Sequence, residues 1–149
     1  MKQPADGARI WQTRWEQFIR EVVADFQAGM TDRDVTDKYS FTEVTWTGTL
    51  REHHLSGPRS CVHVQMEMPM IVIPLDNGRR VEVDFLSLSV DEQDRSAWQA
   101  VNIGDVVQFV TTLSRGIEPF PGIEWSEYDG VASILVATER SRILAIGSR

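Results

Sequence analysis

The chain has 149 residues, 42% of them apolar, with five tryptophans and one cysteine, which suits a single domain with one ordinary hydrophobic core. Fifteen basic against 22 acidic side chains leave a net charge of −7, the wrong sign for generic binding to phosphate backbones by counterion release. The longest nearly unbroken apolar stretch, Met68–Leu75, covers only eight residues, less than half of what a membrane-crossing helix needs.

The acidity is uneven: residues 1–40 carry 6 basic and 7 acidic side chains, whereas residues 41–149 carry 9 and 15. A lone Cys61 cannot close an intramolecular disulfide, and Met1–Ile10 shows no charged-then-apolar leader, so a reducing, cytoplasmic location is expected.

Between Ala8 and Ala28, Trp11, Trp15, Phe18, Ile19, Val22, Val23 and Phe26 recur at spacings of three and four, which predicts an amphipathic helix. Gly29 is the expected left-handed stop, and Thr31 with Asp34 predicts a capped second helix through Tyr39. The two helices resemble the opening of a helix-turn-helix unit. No recognition helix follows, because Phe41–Thr47 is β-branched and aromatic.

From Phe41 the period changes to two, so residues 1–40 read as a helical extension and 41–149 as strands of the same domain. A first strand, Glu43–Glu52, points Val44, Trp46, Gly48 and Leu50 inward, and Gly48 marks a bend or close approach. A second, Cys61–Leu75, sets Val62, Val64, Met66, Met68, Met70 and Val72 on the core face and His63, Gln65 and Glu67 on the other. Asp76-Asn77-Gly78-Arg79 predicts a two-residue hairpin turn. Counting from that turn pairs Val81 with Pro74, Val83 with Val72 and Phe85 with Met70.

The apolar phase then jumps, and an extra residue in the third strand near Asp84–Phe85 would re-pair Leu86 with Met70, Leu88 with Met68 and Val90 with Met66. Ile71, Ile73 and Leu75 point the other way, so the N-terminal helix is expected to cover them. Asp91–Ala100 predicts a helical turn, Val106–Leu113 a fourth strand, Ser114–Gly130 a long loop, and Val131–Thr138 a fifth strand continued by a ribbon through Arg142–Ile146.

A mainly β chain with a glycine-bent first strand, a long hairpin, a short connector and a Gly104-Asp105-x-Val107-x-Phe109 lead into the fourth strand resembles the OB-fold over about Phe41–Ile146. The resemblance implies a small closed antiparallel barrel. It also implies ligand contact on the face carrying His63, Gln65, Glu67, Arg80 and Glu82, and on the flanking segments His53–Ser60 and 114–130. The alternative architecture is a curved antiparallel sheet wrapped around the helix, as in cystatin-like or nuclear-transport-factor-like folds.

Segment 114–130 contributes Phe120, Trp125 and Tyr128 as stacking or anchoring groups, with Arg115 outnumbered by Glu118, Glu124, Glu127 and Asp129. Phe120 and Trp125 could equally fold back onto the barrel mouth. The sign of these charges favours a protein or peptide partner of basic character. A non-enzymatic binding module is therefore the leading expectation.

Single-stranded nucleic acid on Arg51, Arg59, Arg79, Arg80 and Arg115 is the alternative, and a small-molecule or sugar pocket in the barrel the third. His53, His54, Cys61 and His63 raise a metal site, but their spacing matches no ligand motif, so neither metal nor cofactor is expected. Trp46, Trp98, Met66, Met68 and Met70 read as core. No hydrolase, metalloprotease or phosphate-loop motif occurs. The Trp11/Trp15/Phe18 stripe covers either its own barrel or a second copy in a homodimer.

Overall fold

A computed structural model describes residues 9–56 and 62–147. Its helices are α1 (Trp15–Gln27), α2 (Asp32–Tyr39) and α3 (Arg95–Gln99). The strands are β1 (Glu43–His54), β2 (His63–Pro74), β3 (Arg80–Ser89), β4 (Val106–Leu113), β5 (Gly116–Ile117), β6 (Phe120–Pro121), β7 (Ile123–Tyr128), β8 (Val131–Val136) and β9 (Thr138–Gly147). Seven strands form one sheet in the order β7-β8-β3-β2-β1-β4-β9, and β5 and β6 form a separate small hairpin.

The expected single N-terminal helix is interrupted. Ile10–Gln12 is one 3₁₀ turn and α1 begins at Trp15. Trp46 Nε1 donates to the Trp11 carbonyl at 3.0 Å, the oxygen that a continuous helix would give to residue 15. Gly29 takes its left-handed conformation with φ 98°, and Thr31 and Asp34 form the reciprocal cap that opens α2. Asp25 ties the two helices together, accepting the Tyr39 hydroxyl at 2.6 Å and the Lys38 ammonium at 3.0 Å. Burial, then the Asp25 hydrogen bond, push the Tyr39 phenol well above its ordinary pKa.

The β2–β3 hairpin corrects the sequence-based register. Leu75 N–H bonds to the Arg79 carbonyl, so the connection Asp76–Gly78 has three residues rather than two, with Asn77 and Gly78 at positive φ. One added residue slips the whole ladder: Val81 pairs with Ile73, Val83 with Ile71 and Glu82 with Val72. A one-residue slip exchanges the faces of a strand. Ile71 is therefore buried, while Met70 (52% exposed) and Val72 (48%) point outward.

The phase break falls at Asp84–Phe85 as expected, but the extra residues sit in β2. Met68, Pro69 and Met70 oppose Asp84 alone, after which Leu86 pairs with Met66 and Leu88 with Val64. Met66 and Met68 are buried and Met70 is not. α1 covers the inner side of this tip, as expected, its Val23 beside Ile73 and Leu75.

The expected barrel does not close. β9 runs along β4 and meets β3 through Thr138 Oγ1, which donates to the Ser87 carbonyl and accepts the Ser89 N–H. β8 has already taken the start of the same β3 edge through Arg80–Val131 and Val81–Ala132, and among the described residues no backbone ladder completes the circle. The inner face is nevertheless filled by one cluster to which helices and strands both contribute, including Phe18, Tyr39, Trp46, Leu88, Trp98 and Phe109. Residues 9–40 thus contribute to the core and are not an appendage to it.

Segment 114–130, expected as a loop, is strand over most of its second half. Tyr128-Asp129-Gly130-Val131 turns β7 into β8, with Asp129 at φ 54° and Gly130 at φ 80°. β8 and β9 are separate strands rather than one ribbon.

Candidate functional site

The outer face of the sheet is where most of the sequence-selected residues lie. In a ladder, directly opposed residues share a face. Tyr128, Val131, Arg80 and Pro74 therefore form one row across β7, β8, β3 and β2. Val72 with Glu82 lies in the next row that β2 and β3 share, and Phe85 with Glu67 and Thr49 lies beyond the bulge. Tyr128 is 87% exposed, and Leu135, Phe85, Met70 and Val72 are also exposed. Arg80 hydrogen-bonds Glu82 on the same strand. Glu124 faces the same side as Leu135, its partner in the ladder.

The remaining candidates lie at the far end of this face or off it. His63 and Gln65 sit at the opposite end of β2, eleven and nine residues from Pro74 and so roughly 30 Å or more away along the strand. Arg51 is the bulged residue of β1 near that end, between Leu50–Met66 and Glu52–Gln65. Phe120 is exposed on the β5–β6 hairpin, which Arg33 of α2 holds by bonds to the Arg115 carbonyl and the Glu118 carboxylate. Arg115 itself faces Asp37 at 3.6 Å.

Trp125 is not a free platform. Its ring packs on Phe26 of α1 at 5.4 Å, its backbone N–H donates to Asp32 and its indole N–H to Glu127. Thr36 Oγ1 also accepts the Ile123 N–H and donates to the Ile123 carbonyl. α2 side chains thereby satisfy the outer edge of β7, which would otherwise be open to strand pairing. Behind this hairpin Arg79 grips Glu127 through two bonds, at 2.7 and 2.8 Å. That contact and the Trp125 indole hold the Glu127 carboxyl down at about 2.

The histidines divide between the two faces. His54 and His63 oppose each other outside, rings stacked 4.6 Å apart, with Glu52 at 2.7 Å from His54 Nε2. His53 is paired one position along and bonds the Trp98 carbonyl. Cys61 and Arg59 lie outside the described residues. Among the described residues no three His, Cys, Asp or Glu side chains are grouped to hold a metal ion, and no helix is long and apolar enough to cross a membrane.

Sequence reasoning missed Met70 and Val72 as surface residues, and missed β7. The Asp129-Gly130 pair between alternating segments was the available signal for β7. Comparison with protein-family models finds no match, and a search of curated proteins finds no relative.

Proposed function

We propose that the chain is a non-enzymatic binding module that engages a protein or peptide partner on the outer face of β2, β3 and the β7–β8 hairpin. The observation that carries this is the band Met70, Val72, Phe85, Leu135 and Tyr128, exposed on one face of a chain of net charge −7. Apolar side chains gathered on one face and interspersed with the carboxylates Glu67, Glu82, Asp84 and Glu124 suit a partner that is apolar at its centre and basic around it.

The strand path favours an OB-like description: a β1–β2–β3 meander, β4 beside β1, and β9 beside β4 reaching back to β3, as in a five-stranded, partly open barrel. The β7–β8 hairpin is then an addition at the β4–β9 connection. Single-stranded nucleic acid fits less well. Arg79, Arg80 and Arg115 each face a carboxylate, and Arg51 stands at the far end of β1. The lone cysteine keeps a reducing, cytoplasmic setting as part of the proposal.

The test is selection of random twelve-residue peptides on the full chain, followed by anisotropy titration of the enriched sequences and of oligo-dT and oligo-rU as controls. Enriched peptides are expected to combine arginine or lysine with apolar residues and to lose at least tenfold in affinity for a Val72→Asp, Tyr128→Ala variant. Failure to enrich any sequence, equal binding to that variant, or tighter binding of either oligonucleotide overturns the proposal.

A further inference from the structure

The β1–β2 ladder runs from His54–His63 to Thr49–Glu67 and then stops. Beyond it β2 bulges away through Met68–Met70, and on the inner side α1 fills the widened gap: Trp15 stacks edge-on against Trp46 at 5.2 Å and donates its indole N–H to the Pro69 carbonyl at 3.0 Å. On the outer side the same divergence leaves a cleft of about 300 Å³ between the strands. Gly48 forms part of its lining together with Met68, Pro69 and Val106. A Cβ at position 48 would stand 2.6 Å from the Met68 sulfur and 3.0 Å from the Glu67 carbonyl oxygen, so a side chain here would have to displace Met68.

At the rim stands Glu67. Most of the glutamates discussed above are engaged: Glu52 by His54, Glu82 by Arg80, Glu118 by Arg33 and Glu127 by Arg79. The Glu67 carboxylate has no hydrogen bond or ion pair among the described residues, and it is exposed. Apolar walls with one unengaged carboxylate at the mouth complement a long aliphatic stem that ends in a cation.

We propose that this cleft receives an arginine or lysine side chain of the partner, the stem lying against Met68, Pro69 and Val106 and the charged head meeting Glu67. The inference rests on the protein-binding function proposed above and names the side chain by which that partner is anchored. Thr47 and Thr49 flank the site with hydroxyls, which supply acceptors for the remaining donors of a guanidinium or ammonium group.

The experiment is a ¹⁵N–¹H titration of the full chain with N-acetyl-arginine amide, N-acetyl-lysine amide and the neutral N-acetyl-norleucine amide. A cationic compound is expected to shift the Gly48 and Val106 amides saturably, several-fold more tightly than norleucine amide. Glu67→Gln should weaken it by roughly fivefold, the upper range for one exposed ion pair. Thr49→Trp, placed on the outer face to fill the cleft, should abolish the shifts, while Glu82→Gln should leave them intact. The inference is overturned by the absence of saturation up to about 50 mM, weaker than any useful anchor. Shifts unchanged in Glu67→Gln, or spread over all surface carboxylates, overturn it equally. Selected peptides that depend on Val72 and Tyr128 but ignore Glu67→Gln and Thr49→Trp would remove this anchor while leaving the broader function standing. Peptides that bind all of these variants as tightly as wild type would remove both.

Discussion

Thr36→Val isolates how α2 holds the β7–β8 hairpin in place. Valine keeps the shape of threonine but has no hydroxyl, so the fully buried side chain loses both of its bonds to Ile123 while the packing volume is retained. Two backbone groups, the Ile123 N–H and carbonyl, are then left without partners, and an unsatisfied buried polar group costs about 1–3 kcal/mol. The hydroxyl's own desolvation is relieved at the same time, so the net loss is about 2–4 kcal/mol. With a urea m-value of about 2 kcal/mol/M, the unfolding midpoint should fall by roughly 1–2 M at unchanged slope. Amide exchange at Ile123 should accelerate together with that of its ladder partner Val136. A midpoint within about 0.25 M of wild type would mean that α2 does not secure the β7 edge, since that is below the cost of one lost bond.

The face assignment of β2 is tested by neighbouring residues: Ile71→Ala should cost about 2–4 kcal/mol, whereas Val72→Ala should fall within about 1 kcal/mol, and the reverse order would restore the register counted from a two-residue turn. Raising the pH should destabilise the protein once the unfolded state's tyrosine ionises. The Tyr39 pKa is raised on folding, so its contribution is complete below about 10 and is lost as the pH climbs toward the folded value; Tyr39→Phe should flatten that part of an alkaline stability curve. Glu127 has the opposite sign. Its pKa falls from 4.5 to about 2 on folding, so its contribution holds above pH 4.5 and disappears as the pH drops toward 2, and Glu127→Gln should remove that slope from an acid titration of stability. Gly48→Ala should lower the melting temperature and broaden the Met68 methyl resonance, because the new Cβ presses on that sulfur.

Much of the local structure is legible from residues alone because it depends on short-range chemistry. The three- and four-residue recurrence of Trp15, Phe18, Ile19, Val22 and Val23, the Thr31–Asp34 cap, the left-handed Gly29 and the alternation of Val44, Trp46 and Leu50 each express a backbone period or a cap within a few positions. The need for glycine at position 48 is also visible, although not its reason, which is the Met68 side chain across the ladder.

Tertiary packing decided the rest. Whether the Asn77-Gly78 turn holds two residues or three shifts the pairing by one, and that single step places Ile71 inside and Met70 and Val72 outside. No local pattern separates these outcomes, because Met68–Leu75 is apolar on both faces and only the demand of α1 for a covered surface chooses between them. The same holds for barrel closure. The third strand offers one edge to both β8 and β9: β8 takes its start through the Arg80–Val131 and Val81–Ala132 pairings, and β9 meets it through the Thr138 hydroxyl. Trp125 likewise reads as a free aromatic until α1 supplies Phe26 beneath it. The exposed outer face and the cleft at Gly48 therefore follow from how the strands register and diverge, whereas the strands and helices themselves follow from periodicity, caps and turns written in the chain.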